Sequence, residues 1–262
     1  MKNVLSFAVL SLTVASTTLL ARNASAQALT ISTPGVYVLN RNITVSSGDA
    51  IVINASNVVL DLGGRSVMTT SPATGRGIVV NAAKGVIVRN GTVGPFNMNV
   101  VVSNSENVTI DHLKVTGNNL APAGGPVEMG IVFLDTRGSQ ITNNQITSVN
   151  LGVFIRGGGS VGNRTANNHI VGGPVNGNNI LAMCWNPLPG GDGTDATQVP
   201  KGELVYNNHI SGFTDGISFV TGSRGNVIKE NVIQFFGTAF RPDTLTPGNN
   251  TLVDNVSTAL TP

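Results

Sequence analysis

The chain has little of what usually holds a small exported protein together. It has one cysteine, Cys184, so no disulfide can form within it. Charge is scarce at 11% of residues, and aromatics make up only 5%, with a single tryptophan, Trp185. A core of this composition has to be built from aliphatic side chains. No stretch repeats apolar residues at i, i+3, i+4 and i+7 for long enough to make an extended amphipathic helix. Beyond the first 26 residues no apolar run could span a bilayer as a helix, so no membrane span is expected.

The start of the chain has a different character. Lys2 is followed by an apolar run from Val4 to Leu20, and Ala24, Ser25 and Ala26 form a small-residue cleavage site. Residues 1–26 therefore read as a secretory signal peptide, and residues 27–262 as one domain. The expected location is secreted or periplasmic. Without Lys2 and Arg22 the basic residues number 15 − 2 = 13, against 13 acidic ones. That balance argues against nucleic acid or an anionic membrane as the partner.

What the domain does have is glycine, 32 in the whole chain, together with valine, isoleucine and asparagine. The asparagines keep time. Asn144, Asn168, Asn208, Asn231 and Asn255 follow one another at intervals of 24, 40, 23 and 24 residues. The long interval contains NPLPGGDGTDATQVP (186–200), a Pro/Gly/Asp-rich insert with no strand pattern. A second marker agrees. Gly77 in GIVV, Gly130 in GIVF, Gly152 in GVFI and Gly216 in GISF each open a strand of period-2 alternation. A second short strand, the asparagine and a third strand follow each time.

Three short strands per repeat predict an all-β, single-stranded right-handed parallel β-helix of about eight to nine coils. Residues 27–48 would cover its N-terminal end. One coil cannot bury its own apolar face, but stacked coils can. The predicted inward column of first strands is Ile51, Ile78, Val100, Ile131, Val153, Met183, Ile217 and Phe240. The five asparagines should form an internal ladder at the tight bend between second and third strands. There an asparagine tolerates left-handed φ and bonds to nearby backbone.

The units GIVVNAAKGVIVRNGTV (77–93) and GISFVTGSRGNVIKENVI (216–233) resemble the pectin-lyase-like superfamily, especially bacterial right-handed parallel β-helix repeat proteins. The resemblance covers about residues 30–256. NVTIDHLKV (107–115) is also similar to a pectate lyase strand with an Ile-Asp-His run. The clustered calcium aspartates and catalytic arginine segment of those lyases have no match here, and neither do the aspartate pairs of polygalacturonases. The resemblance implies that substrate lies on the outer face of the first strand, walled by loops at the turn before it. The loops in question are GNNLAPAGGPVE (117–128) and GGPVNGNN (172–179), with the 186–200 insert beside them.

Alternation gives that outer face two columns. One is Val52, Val79, Val101, Val132, Phe154, Cys184, Ser218 and Arg241. The other is Asn54, Asn81, Ser103, Leu134, Arg156, Asn186, Val220 and Asp243. Asp215 lies just before its strand, and Asp135 and Arg137 just after theirs. The candidate catalytic and binding cluster is Arg156, Asp215, Arg241 and Asp243, with Asn186 beside it. Arginine holds a sugar carboxylate in bidentate fashion, and a carboxylate or arginine can move a proton. The competing reading makes the arginines surface partners of Asp215 and Asp243. Strict alternation turns Trp185 inward; a bulge at the insert would make it a platform for a sugar ring. Asp192 and Asp195 in GDGTD offer oxygen ligands to calcium as a cofactor, or simply shape a turn.

ANNHI and YNNHI place His169 and His209 one position after ladder asparagines, outward and about 5 Å apart. They are either a polar face repeated by duplication or, with Tyr206, an acid–base set. Two histidines without a third ligand are a thin basis for a metal site.

The expected function is binding of an acidic polysaccharide by a monomer, with cleavage by β-elimination if the protein is an enzyme. The alternative is a non-catalytic surface or matrix protein whose repeat is architectural.

Overall fold

A computed structural model describes residues 16–19, 28–71, 74–118, 127–173, 181–186, 199–219, 222–241 and 250–261. All regular structure among them is β-strand, joined by parallel pairings into one continuous solenoid. It is the right-handed parallel β-helix that the repeat resembles. No helix among the described residues is long and apolar enough to cross a membrane. Ser16–Leu19, within the predicted leader, pairs in parallel with Gly35–Leu39.

The first strands stack in the order Leu29–Ile31, Ile51–Ile53, Arg76–Asn81, Met98–Ser103, Met129–Leu134, Leu151–Arg156 and Leu181–Asn186. The last halves of His209–Phe219 and Val232–Phe240 complete the sheet. The inward column has the predicted register throughout, from Ile51↔Ile78 to Ile217↔Phe240. Its members from Ile51 to Ile217 are fully buried, and Phe240 is partly buried at the C-terminal end. Inward second-strand residues such as Val88, Ile110 and Ile141 stack alike, as do Ile146, Ile170, Ile210 and Ile233 of the third strand. Burying about two dozen Val and Ile side chains in aligned columns supplies the main driving force, at roughly 25 cal/mol per Å² of apolar surface.

The glycine that opens the first strands has a steric cause. A Cβ on Gly152 would run into the carbonyl of Ala182 and a methyl of Ile170. On Gly130 it would meet the carbonyl of Gly152 and a methyl of Ile146. In the coil between them and Gly77 the same position is Asn99, which is fully buried and bonds Phe96 and Met129 instead.

The asparagine ladder is continuous. The Oδ1 of each asparagine accepts both the side-chain amide and the backbone N–H of the preceding one. Asn144 donates to Asn168, Asn168 to Asn208, Asn208 to Asn231 and Asn231 to Asn255, at 2.9–3.1 Å. Each Nδ2 also bonds a carbonyl of the preceding coil, as Asn208 does at Thr165. The left-handed φ belongs elsewhere than expected. It falls on the first residue of each doublet, Asn143 (56°), Asn167 (57°) and Asn207 (51°). The bend needs one residue to turn the backbone and a second to fill the interior, which is why the chain writes Asn-Asn.

A second polar column, unforeseen from the sequence, lines the corner between first and second strands. Ser139 accepts the N–H of Val108, Asn163 that of Ser139 and Asn226 that of Glu203; Asn163 also donates to the Glu203 carboxylate.

The Asn208→Ala change should destabilise the fold by about 1–3 kcal/mol in urea unfolding, because Asn168's donors and two carbonyls lose a buried partner. Asn207→Gly should cost less, since glycine keeps the left-handed turn.

Candidate functional site

The outer face of the first strand differs along its length. In its middle Val79, Val101, Val132 and Phe154 are apolar and at most 8% exposed, with Met98, Met129, Leu134 and Leu151 packed against the last three. Charge sits at the margins. Near the N-terminal coils Arg76 pairs with Asp49 through Nε at 2.8 Å. Near the C-terminal coils Arg241 reaches back to Asp215, with Nε at 2.8 Å and Nη2 at 2.6 Å from Oδ2. The Thr238 hydroxyl donates to the other oxygen at 2.7 Å. Asp215 is buried, so this clamp ties two successive coils.

Arg156 stands apart from that clamp. Its guanidinium lies 5.9 Å from the centre of the Phe154 ring, and its carbonyl accepts the Ser160 hydroxyl at 2.7 Å. Its backbone aligns with Leu134 and Asn186, whereas Asp215 aligns with Leu181 at the opposite end of the strand. Five residues of strand separate those positions, about 16 Å. A shared sheet does not make one cluster: Arg241 and Asp215 meet, and Arg156, with the backbone of Asn186 beside it, occupies the far edge. Asp243, Asp192 and Asp195 lie outside the described residues, as do the side chains of Asn186, Trp185 and Cys184 and most of the three loops. The backbone of Trp185 aligns with Ile155 and Phe219, both fully buried.

Beyond the Arg156 edge the chain turns the first corner, and there lies a groove of 410 Å³ lined by Lys84, Asn104, Glu106, Asp135, Arg137 and Gly159, among others. Three rungs build it. Lys84, Glu106 and Arg137 bridge in parallel, one per coil. Glu106 bonds Lys84 Nζ at 2.8 Å, and that bond, with the further pull of Arg137, holds its carboxyl below the ordinary value. Ala82, Asn104 and Asp135 take left-handed φ at the turn. Asp135 Oδ1 accepts the N–H of Gly159 at 2.9 Å. The sequence signal for this groove was the pair Asp135 and Arg137 just after a strand; what could not be read was that the neighbouring turns make a concavity beside it.

The histidines stack as expected, with ring centres 5.1 Å apart and planes at 58°. Their column also contains Lys114 and Gln145. Tyr206 is on the other side of the bend, aligned with Ala166 and Lys229. Its ring lies 4.8 Å from the Arg164 guanidinium and 5.5 Å from Lys229 Nζ. The imidazoles are thus together, while Tyr206 is in a separate cation–aromatic stack. At an earlier bend His112 takes the left-handed position, at φ 49°, and its Nδ1 lies 2.6 Å from Asp111. Thr142 and Asn143 also donate to Asp111, each at 2.8 Å. Burial pushes that carboxyl up, but the bonds from His112, Asn143 and Thr142 together outweigh it and hold it below 3.8.

No protein-family profile and no curated protein matches the sequence. Solved structures do match in shape. The Dettilon tailspike protein has a TM-score of 0.54 at 13% identity, covering 88% of this chain and 50% of that one. The enzymatically active domain of bacteriophage CBA120 tailspike protein 2 gives 0.62 at 13%, covering 94% and 39%. A DFA-IIIase from Arthrobacter chlorophenolicus A6, in complex with GF2, gives 0.53 at 12%, covering 84% and 65%. The chain spans less than two thirds of the length of each, and at this identity the likeness is one of fold.

His209→Ala should leave the melting temperature and any ligand binding unchanged, since an exposed imidazole packs against little. Asp111→Asn should lower stability at neutral pH. A depressed carboxylate stabilises above its unfolded pKa and loses that contribution as pH falls through the folded value, so the gap to wild type should close below pH 3.8.

Proposed function

We propose that this is an exported protein that binds an acidic polysaccharide along the outer face of the first strand, with Arg156 as a principal contact. The observation that carries the reading is the position of Arg156. It stands on a rigid strand, over Phe154, at the polar edge of that face. A guanidinium is the planar donor that recognises a uronic carboxylate, and the buried Phe154 ring beneath it braces the side chain at that edge. Similar β-helices that include a tailspike's enzymatically active domain and a DFA-IIIase in complex with GF2 support a carbohydrate ligand.

Cleavage by β-elimination would need a cation on the carboxylate, a base at C5 and an acid at the glycosidic oxygen. Among the described candidates, Arg241 is bound to Asp215, and Tyr206 and His209 lie on other faces. Binding is therefore the function the geometry supports best. The Asp215–Arg241 clamp also favours the second reading, a surface or matrix protein in which these charges only join coils.

Titration calorimetry with oligogalacturonates and alginate oligomers separates the two. Arg156→Ala should weaken binding by about 1.5–3 kcal/mol with the β-sheet spectrum intact, and wild-type binding should weaken with added salt. Unchanged affinity, or no binding by the wild type, would leave the architectural reading in its place.

A further inference from the structure

The 410 Å³ groove at the first corner is separate from the face that holds Arg156, yet the two are joined. Leu134, the neighbour of Arg156 in register, is followed directly by Asp135. The Asp135 N–H donates to the Arg156 carbonyl at 2.9 Å. A ligand leaving the Arg156 edge would pass over Asp135 and reach Arg137 two residues later.

The groove lining is not an ordinary set of surface charges. Asp135 is pinned: Oδ1 is fixed by the Gly159 N–H at 2.9 Å, and a Cβ on either Gly157 or Gly159 would collide with its side chain. The run Gly157-Gly158-Gly159 thus wraps closely around one carboxylate. Glu106 is engaged by Lys84 at 2.8 Å and flanked by Arg137. Asp135 supplies an oriented acceptor, and Arg137, exposed two residues later in the same turn, supplies a forked donor. The complement of such a pair is a unit that carries hydroxyl donors on one edge and a carboxylate on another.

We propose that this corner is a second subsite for a uronate residue, with Asp135 accepting hydrogen bonds from vicinal hydroxyls and Arg137 binding the carboxylate. It rests on the reading that the first-strand face binds an acidic polysaccharide, and extends its track round the corner.

The test is calorimetric titration of oligogalacturonate and alginate oligomers into wild type, Asp135→Asn, Arg137→Gln and Arg156→Ala proteins. Asparagine tolerates the left-handed φ of 52° and keeps an acceptor for Gly159, so Asp135→Asn should fold. Its effect also has a diagnostic sign. Removing a negative charge from the path of a polyanion strengthens binding if only net charge matters. The subsite instead expects affinity to fall about tenfold, because charged hydrogen bonds to hydroxyls are lost. Arg137→Gln should fall comparably, and melting temperatures should stay at the wild-type value. Asp135→Asn binding as well as or better than wild type, while Arg156→Ala binds worse, overturns the subsite and leaves the first-strand site standing. No binding by wild type, or equal binding by all four proteins, overturns both.

Discussion

The hydrogen bonds between buried side-chain amides are the constraint on which the rest depends. A coil of three short strands encloses too little apolar surface to fold alone, and its corners point backbone donors and acceptors inward. At the second bend Asn144, Asn168, Asn208 and Asn231 are buried and satisfy those groups from within. Each amide fixes the distance and rotation of the next coil, so the register of the three faces follows. The aliphatic columns provide driving force, but aliphatic contacts alone tolerate slippage. A row of paired amides does not, because a slip would leave each one buried and unbonded.

The same interior can take other polar groups where its environment changes. At the start of the ladder Leu113 stands in the asparagine position and only its backbone N–H joins, bonding Asn144 at 2.9 Å. At the first corner the equivalent column mixes Ser139, Asn163, Glu203 and Asn226. Serine and asparagine there accept backbone N–H groups, and a glutamate is admitted because Asn163 donates to it.

The repeat was legible because its causes are local. A glycine that cannot carry a Cβ, an asparagine that must bond its neighbour and a period of two on each strand all leave marks at fixed spacing. That sufficed for the register of eight inward residues and for the contact between His169 and His209. The side-chain partnerships on the outside were not legible in the same way. Arg241 bends back along its strand to Asp215, a choice of rotamer that the alternation does not encode. Tyr206 and His209 are three residues apart, but the bend at Asn207 sends them to different faces. The corner groove depends on the relief of three successive turns, which appears only once they are stacked.

His209–Phe219 passes from third strand to first without a loop, and Val232–Phe240 does the same one coil later. Their pairing shifts register between Ile210 and Phe213 and again between Phe213 and Asp215, so the corner absorbs a local irregularity without opening a loop. At these two corners pairing runs straight from the third face to the first, so a long insertion there would have to break a paired strand. The circumference of the solenoid is thereby set by the strand itself in its C-terminal coils.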